Sequence, residues 1–226
     1  MKYENIRKAE FVLRKNRFIA EILIDGKVEL CHVKNTGRLG ELFIPGAEIY
    51  VEESQNPTRK TKYDLVTVVK DGKLVNVDSF APNLAVGEYL QRIYPDAIVT
   101  PEKKYGNSRF DFYVENGDER RFVEVKGVTL FKDGKALFPD APTERGIKHL
   151  YELSESLADG YLATVIFVIA ADSEGALTFA PNRAVGDDFA NALIEAFGRG
   201  VEIKAVDCAV NFDSITVKSE IPTELK

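Results

Sequence analysis

The sequence predicts an α/β chain of mixed α+β type: an OB-like five-stranded β-barrel over residues 1–80, then a mixed α/β domain over residues 81–226. Three observations carry this. About five short strand-like runs crowd into the roughly sixty residues after Arg17 with no long helix between them, the mark of a small closed barrel. Past Phe80, helical spacings alternate with strand-like runs, which implies a mixed sheet. Tyr161 to Ala170 is a nearly continuous apolar run, as expected of a strand buried on both faces.

Taken in order, Phe18 to Asp25 and Val28 to Val33 read as strands joined by the hairpin dipeptide Asp25-Gly26. Asn35 to Leu42 is a turn with a short helical stretch, and Pro45-Gly46 leads into a strand over Glu48 to Glu53. Leu65 to Val77 forms a second hairpin with Asp71-Gly72 at its tip. Pro82 opens a helix running to Ile93, which Gly87 weakens by up to about 1 kcal/mol relative to alanine. Arg109 to Val114 and Arg121 to Val128 alternate and form a hairpin across the turn-rich Glu115 to Arg120. Leu130 to Lys135 is a turn. Thr143 caps a helix from Glu144 to Leu157, with Leu150, Leu153 and Leu157 facing the core. Asp187 to Phe197 is an amphipathic helix, Val201 to Val206 a strand, and Ser214 to Val217 an edge strand.

The chain has 226 residues and is 45% hydrophobic, enough for a real core. It contains no apolar run of membrane-spanning length and no apolar signal core, so a soluble cytoplasmic protein with no membrane partner is expected. Cys31 and Cys208 are too few and too far apart for a zinc site or a disulfide framework, and are expected as buried free thiols. His32 and His149 lack metal-type spacing. The net charge is −6, yet residues 1–17 carry six basic side chains against two acidic ones, with Tyr3, Phe11 and Phe18 interleaved or adjacent. Such an end suits phosphate contacts and base stacking, or is an ordinary solvated edge. Arg59-Lys60-Thr61-Lys62-Tyr63 reads either way too.

The central hairpin carries the chemistry. Side chains alternate along a strand, so Glu124 and Lys126 share a face, and Asp111 lies on the partner strand. An Asp followed by Glu-x-Lys on the next strand is the nuclease-like PD-(D/E)XK pattern. Mg²⁺ or Mn²⁺ takes oxygen ligands, commonly one or two carboxylates with water and substrate phosphate, and Asp111 and Glu124 can supply them. The Lys126 ammonium can orient a water or offset charge building on a phosphate. The alternative is a wet strand face with a weak surface pair. Glu88, inside the helix after Pro82, is a further carboxylate candidate or a solvent-facing position. Arg145 and His149, four apart, share a helix face with Lys148 nearby. They can reach a phosphate or pair with acids such as Asp140.

Several blocks together resemble the sugar fermentation stimulation protein A family: Phe18-Ile-Ala-Glu, His32-Val-Lys-Asn-Thr-Gly-Arg38, Arg59-Lys-Thr-Lys-Tyr, Ser108-Arg-Phe-Asp-Phe, Val123-Glu-Val-Lys-Gly and Phe138-Pro-Asp-Ala-Pro-Thr-Glu-Arg-Gly-Ile-Lys-His-Leu150. They occur in family order along nearly the whole chain, with Pro142 and Ile147 as departures. The resemblance implies an OB-like barrel followed by a restriction-endonuclease-like PD-(D/E)XK domain, DNA binding, and a role in regulating sugar (maltose) metabolism. Carried over by motif, Asp111, Glu124 and Lys126 become the catalytic set. Asp111 and Glu124 become the metal set together with Glu88, which, like the lesser contributors Asp140 and Arg145, is implied only by its position near the motifs. The nucleic-acid contacts expected are Lys8, Arg14, Lys15, Arg17, Arg38, Arg59, Lys60, Arg145 and Lys148. The chain then has three readings: a DNA-binding regulator on a nuclease scaffold, a Mg²⁺-dependent endonuclease on DNA or RNA, and a sugar-responsive binding protein. Single strands are an alternative target to duplex, and a homodimer is a candidate assembly.

Overall fold

A computed structural model describes residues 1–172 and 178–225. The chain forms two compact units. The first comprises Met1–Ala81 with Cys208–Thr216 and the end of one later strand, and the second holds Pro82–Ile169 and most of the remaining chain.

In the first unit β1 (Ile6–Arg14), β2 (Ile19–Ile24), β3 (Lys27–Val33), β4 (Glu48–Glu53) and β5 (Tyr63–Lys70) close into a ring. The pairs β1–β2, β2–β3, β1–β4 and β4–β5 are antiparallel, and β3–β5 closes the barrel in parallel. Closure removes the unpaired edges that an open five-stranded sheet would present. Phe11, Ile22, Ile49 and Leu65 fill the interior and are fully buried. Asp25-Gly26 and Asp71-Gly72 turn their hairpins with positive φ at both residues, the conformation that an Asp-Gly pair tolerates best.

The ring differs from the expected one in membership. Ile6–Arg14, read in the sequence only as a basic end, is a barrel strand, and β6 (Lys73–Asn76) pairs with β5 outside the ring. A bulge between Phe11 and Leu13 breaks the alternation of β1, turning Phe11 inward and leaving Leu13 exposed. Phe11 stacks on Phe43 at 5.2 Å and Tyr3 is buried, so neither presents a ring for base stacking, whereas Phe18 is exposed.

The second unit is built on a mixed sheet. β7 (Ile98–Tyr105), β8 (Ser108–Asn116) and β9 (Glu119–Val128) are antiparallel neighbours. β12 (Leu162–Asp172) runs parallel to β9 and pairs with β14 (Glu202–Asn211), which pairs with β15 (Ser214–Ile221). The stretch read as a turn after Val128 is a small hairpin, β10 (Leu130–Lys132) and β11 (Lys135–Phe138), and β13 (Thr178–Pro181) joins it in parallel. α1 spans Ala81–Ile93, α2 Glu144–Ser156 and α3 Arg183–Arg199. α3 is kinked at Gly186, whose backbone is not helical (φ −146°, ψ 69°), so a short first piece from Arg183 precedes the amphipathic stretch that starts at Asp187. Leu150 and Leu153 of α2 share one core with Phe189 and Leu193 of α3 and Val165 and Phe167 of β12.

Two glycines bring α1 onto the hairpin that carries the candidate site. A Cβ on Gly87 would stand 3.3 Å from the Phe112 ring, and one on Gly127 would stand 3.0 Å from Pro82 Cγ. The helix propensity lost at Gly87 is thus offset by close packing of α1 on β8. Cys31 and Cys208 are both buried thiols, as expected. Among the described residues, no helix is long and apolar enough to cross a membrane.

Candidate active site

The β8–β9 ladder is continuous from Asn116↔Glu119 to Phe112↔Val123 and stops there. One residue further on, Asp111 replaces the missing main-chain partner. Its Oδ2 accepts a hydrogen bond from the Val125 N–H at 2.7 Å, and its Oδ1 accepts one from Asn83 Nδ2 in the first turn of α1, also at 2.7 Å. The carboxylate is therefore fixed by one strand and one helix, at the point where the two strands part.

Glu124 is only 3% exposed, which rules out a wet strand face. Its Oε1 accepts from Lys126 Nζ at 2.5 Å and is joined by a short hydrogen bond to His149 Nδ1 on α2. Its Oε2 is buried and has no hydrogen-bond partner among the described residues. Lys126 is itself mostly buried, its side chain 14% exposed. His149 is buried with its ring edge-on to Phe110 at 6.1 Å and receives a long contact from Arg145 Nε at 3.4 Å.

The two carboxyls are pushed in opposite directions. Burial and the neighbouring negative charge of Glu124 raise Asp111 above the usual carboxyl range, against the pull of Val125 N–H, Lys126 and Asn83. Burial would raise Glu124 as well, but its hydrogen bond to His149 and the charge of Lys126 bring it below that range. A carboxylate pair of this kind, with one buried oxygen unsatisfied, fits a hard divalent cation, which would complete Glu124 Oε2 and relieve the repulsion felt by Asp111. Among the described residues, no group of three or more His, Cys, Asp or Glu side chains is placed to hold an ion. A cation here would rest on two carboxylates and water, which suits Mg²⁺ or Mn²⁺ better than a closed zinc site.

The structure thus gathers Asp111, Glu124 and Lys126, and adds Asn83 and His149. Asn83 gave no signal in the sequence. His149 gave one: it lies on the buried stripe Gly146, His149, Leu150, Leu153 of α2, and a buried imidazole needs a polar partner. Glu88 is exposed and lies five residues beyond Asn83, about 140° around α1 from it. Asp140 is exposed on the segment before α2, and Arg145 and Lys148 are exposed in its first turns. Lys148 Nζ donates to the Asn107 carbonyl at 3.3 Å.

In the barrel, the basic residues divide by partner. Lys8 pairs with Glu48 at 2.7 Å and Lys15 with Glu21 at 2.8 Å. Arg59 forms a bidentate pair with buried Asp64, which also contacts His32 Nδ1 at 3.1 Å. Arg14 is committed internally. Its guanidinium donates to the carbonyls of Arg17, Asn35, Gly37 and Arg38 at 2.6–2.9 Å and lies over the Phe43 ring. Arg14 is therefore a clamp rather than a free phosphate ligand, because both its Nη groups already hold main-chain acceptors and its Nε is buried. Arg17, Arg38 and Lys60 are exposed and have no ion-pair partner among the described residues, and the clamp holds the first two on one loop cluster.

Comparison with known proteins places these features in context. Residues 80–214 match the family described as the sugar fermentation stimulation protein RE domain, and residues 12–77 match the SfsA N-terminal OB domain. A sugar fermentation stimulation protein homolog from Desulfitobacterium hafniense (strain Y51) is 50% identical over 227 residues, covering 100% of this chain and 99% of its own. Homologs from Ruminiclostridium cellulolyticum and Clostridium beijerinckii are 46% and 48% identical over 100% and 98% of this chain, and 100% and 98% of their own. A solved structure of Pyrococcus furiosus SfsA in complex with Ca²⁺ superposes with a TM-score of 0.87 at 28% identity, covering 99% of this chain and 98% of that one.

Proposed function

The chain belongs to the sugar fermentation stimulation protein family, and on that premise we propose that it is a DNA-binding protein whose second unit carries a nuclease-type divalent-cation site. The observation that carries the reading is the buried, unpartnered Oε2 of Glu124 beside Asp111, with Lys126 on the same carboxylate. The Ca²⁺ bound by the Pyrococcus furiosus relative supports an oxygen-seeking cation in this family. Asp111 and Glu124 would hold Mg²⁺ or Mn²⁺, whose chemistry there is to polarise a phosphoryl oxygen and lower the pKa of a bound water. The chain's own residues do the positioning. Asn83 and the Val125 N–H fix Asp111, and His149 fixes the rotamer of Glu124. Lys126 places a positive charge where a phosphodiester gains negative charge in its transition state.

DNA binding is assigned to the exposed Arg17, Arg38 and Lys60 of the barrel unit, and to Arg145 and Lys148 of the second unit. The test is cleavage of single- and double-stranded DNA and RNA with and without Mg²⁺ or Mn²⁺, using wild type, Lys126→Ala and Asp111→Asn. Cation-dependent cleavage lost in both variants supports an active nuclease. Salt-steep binding without product, unaffected by Asp111→Asn, supports a binding protein on the same scaffold. Absence of both binding and cleavage contradicts the reading.

A further inference from the structure

Next to the carboxylates, the second unit holds an open cavity of about 480 Å³ whose lining includes Ser108, Arg109, Glu144, Arg145, Lys148 and His149. Its chemistry differs from that of the carboxylate pair. Three permanent cations face one carboxylate, and the wall is completed by the first turn of α2, a helix of 13 residues. The first N–H groups of a helix have no carbonyl within it to bond, so this end favours anions. Thr143 Oγ1 takes the N–H of Gly146. Lys148 reaches the Asn107 carbonyl across the cavity and lies 3.7 Å from Glu152, while Arg109 pairs with exposed Glu102 at 3.2 Å.

The decisive observation is Ser108. It is 6% exposed and lines the cavity, yet its hydroxyl has no hydrogen-bond partner among the described residues. A buried hydroxyl without a partner is unfavourable, so it calls for an oxygen or nitrogen to complete it, which a ligand oxygen in the cavity would supply. Ser108 follows the two-residue turn Gly106-Asn107, so the tight β7–β8 hairpin holds its side chain in place. One imidazole joins this cavity to the carboxylates: His149 holds Glu124 through Nδ1 and faces Arg145 through Nε2.

We propose that this cavity is a phosphate subsite, seating one phosphate group of a nucleic-acid strand through Ser108, Arg145 and Lys148. The identity of the ligand as part of a strand rests on the nuclease-type reading of the adjacent carboxylates; the affinity for phosphate does not. The group can be an internal diester with one negative charge or a terminal monoester with about −1.5 to −2 at neutral pH.

The test uses the full chain in chelator-treated buffer, so that no divalent cation contributes. Inorganic phosphate is titrated calorimetrically into wild type, Ser108→Ala, Arg145→Ala and, as a surface control, Lys132→Ala. Saturable binding is expected in wild type and Lys132→Ala, weakened by at least about tenfold in Ser108→Ala and Arg145→Ala. Ser108→Ala removes an unsatisfied buried hydroxyl, so its melting temperature in phosphate-free buffer should not fall and its loss of binding cannot be ascribed to misfolding. Short single strands bearing a 5′-phosphate, a 3′-phosphate or neither then separate the two sources. Preference for one phosphorylated end that Arg145→Ala abolishes marks a terminal monoester, and equal binding of all three, weakened by Arg145→Ala, marks an internal diester. No saturable phosphate binding, or binding equal in wild type and both cavity variants, overturns the subsite even if Asp111-dependent cleavage is observed. Phosphate binding in a protein with no cation-dependent activity supports the subsite while contradicting the nuclease reading.

Discussion

Asp111 accepts from Val125 and Asn83 while facing the charge of Glu124, so its ionised form is uncomfortable in the cation-free protein. Asp111→Asn keeps an oxygen for Val125, and rotation of the Asn83 amide lets the two side-chain amides bond. This variant should therefore melt a few degrees higher than wild type at neutral pH, the order expected of about 1 kcal/mol. A lower melting temperature would show that the repulsion is not felt. Asp64 in the barrel is the opposite case. Burial works against its charge, but Arg59, Lys34 and His32 together hold its carboxyl below the usual range. A carboxyl depressed on folding stabilises the fold above its unfolded value of about 4 and loses that contribution as the pH falls through the lower folded value. Asp64→Asn should cost about 2 kcal/mol at neutral pH by removing the charge that the partly exposed Arg59 pairs with. The difference from wild type should shrink below about pH 4. Denaturant titrations at several pH values check both statements.

Elements were legible where their pattern was regular. The β8–β9 hairpin, α2 and β12 follow plainly from alternation, the Thr143 cap and an unbroken apolar run. β1 was not legible, because its bulge disrupts the alternation and its Lys and Arg side chains resemble a charged arm. β7 escaped notice as well, since most of its side chains are exposed and it includes Pro101, as an edge strand can. The candidate site was half legible. Asp111, Glu124 and Lys126 lie on two adjoining strands, but Asn83 and His149 reach them from helices, through contacts spanning 28 and 25 residues that no local pattern encodes. Two predictions belong to this scale. Gly146→Ala would place a Cβ 2.9 Å from Thr143 Oγ1 and 3.2 Å from the Phe189 ring. It should cost at least about 1 kcal/mol through the displaced cap, read as a lower melting temperature. Arg14→Ala should release the 35–38 loop and destabilise the barrel by about 2 kcal/mol, whereas Arg17→Ala should leave the melting temperature unchanged.

Across the whole chain, the charge of −6 means that any affinity for nucleic acid depends on local cations. Binding of DNA should fall steeply between about 50 and 200 mM salt if several phosphates are neutralised. Arg17→Ala and Arg145→Ala should each reduce that slope by about one. A flat salt response would remove the electrostatic basis of the proposed function. The most direct test of the account is calorimetric titration of Mn²⁺ into the wild-type protein and Asp111→Asn, a variant expected to fold at least as well. The account predicts saturable binding to wild type that is lost in Asp111→Asn. Absence of binding to wild type, or binding that the substitution leaves unchanged, would contradict it.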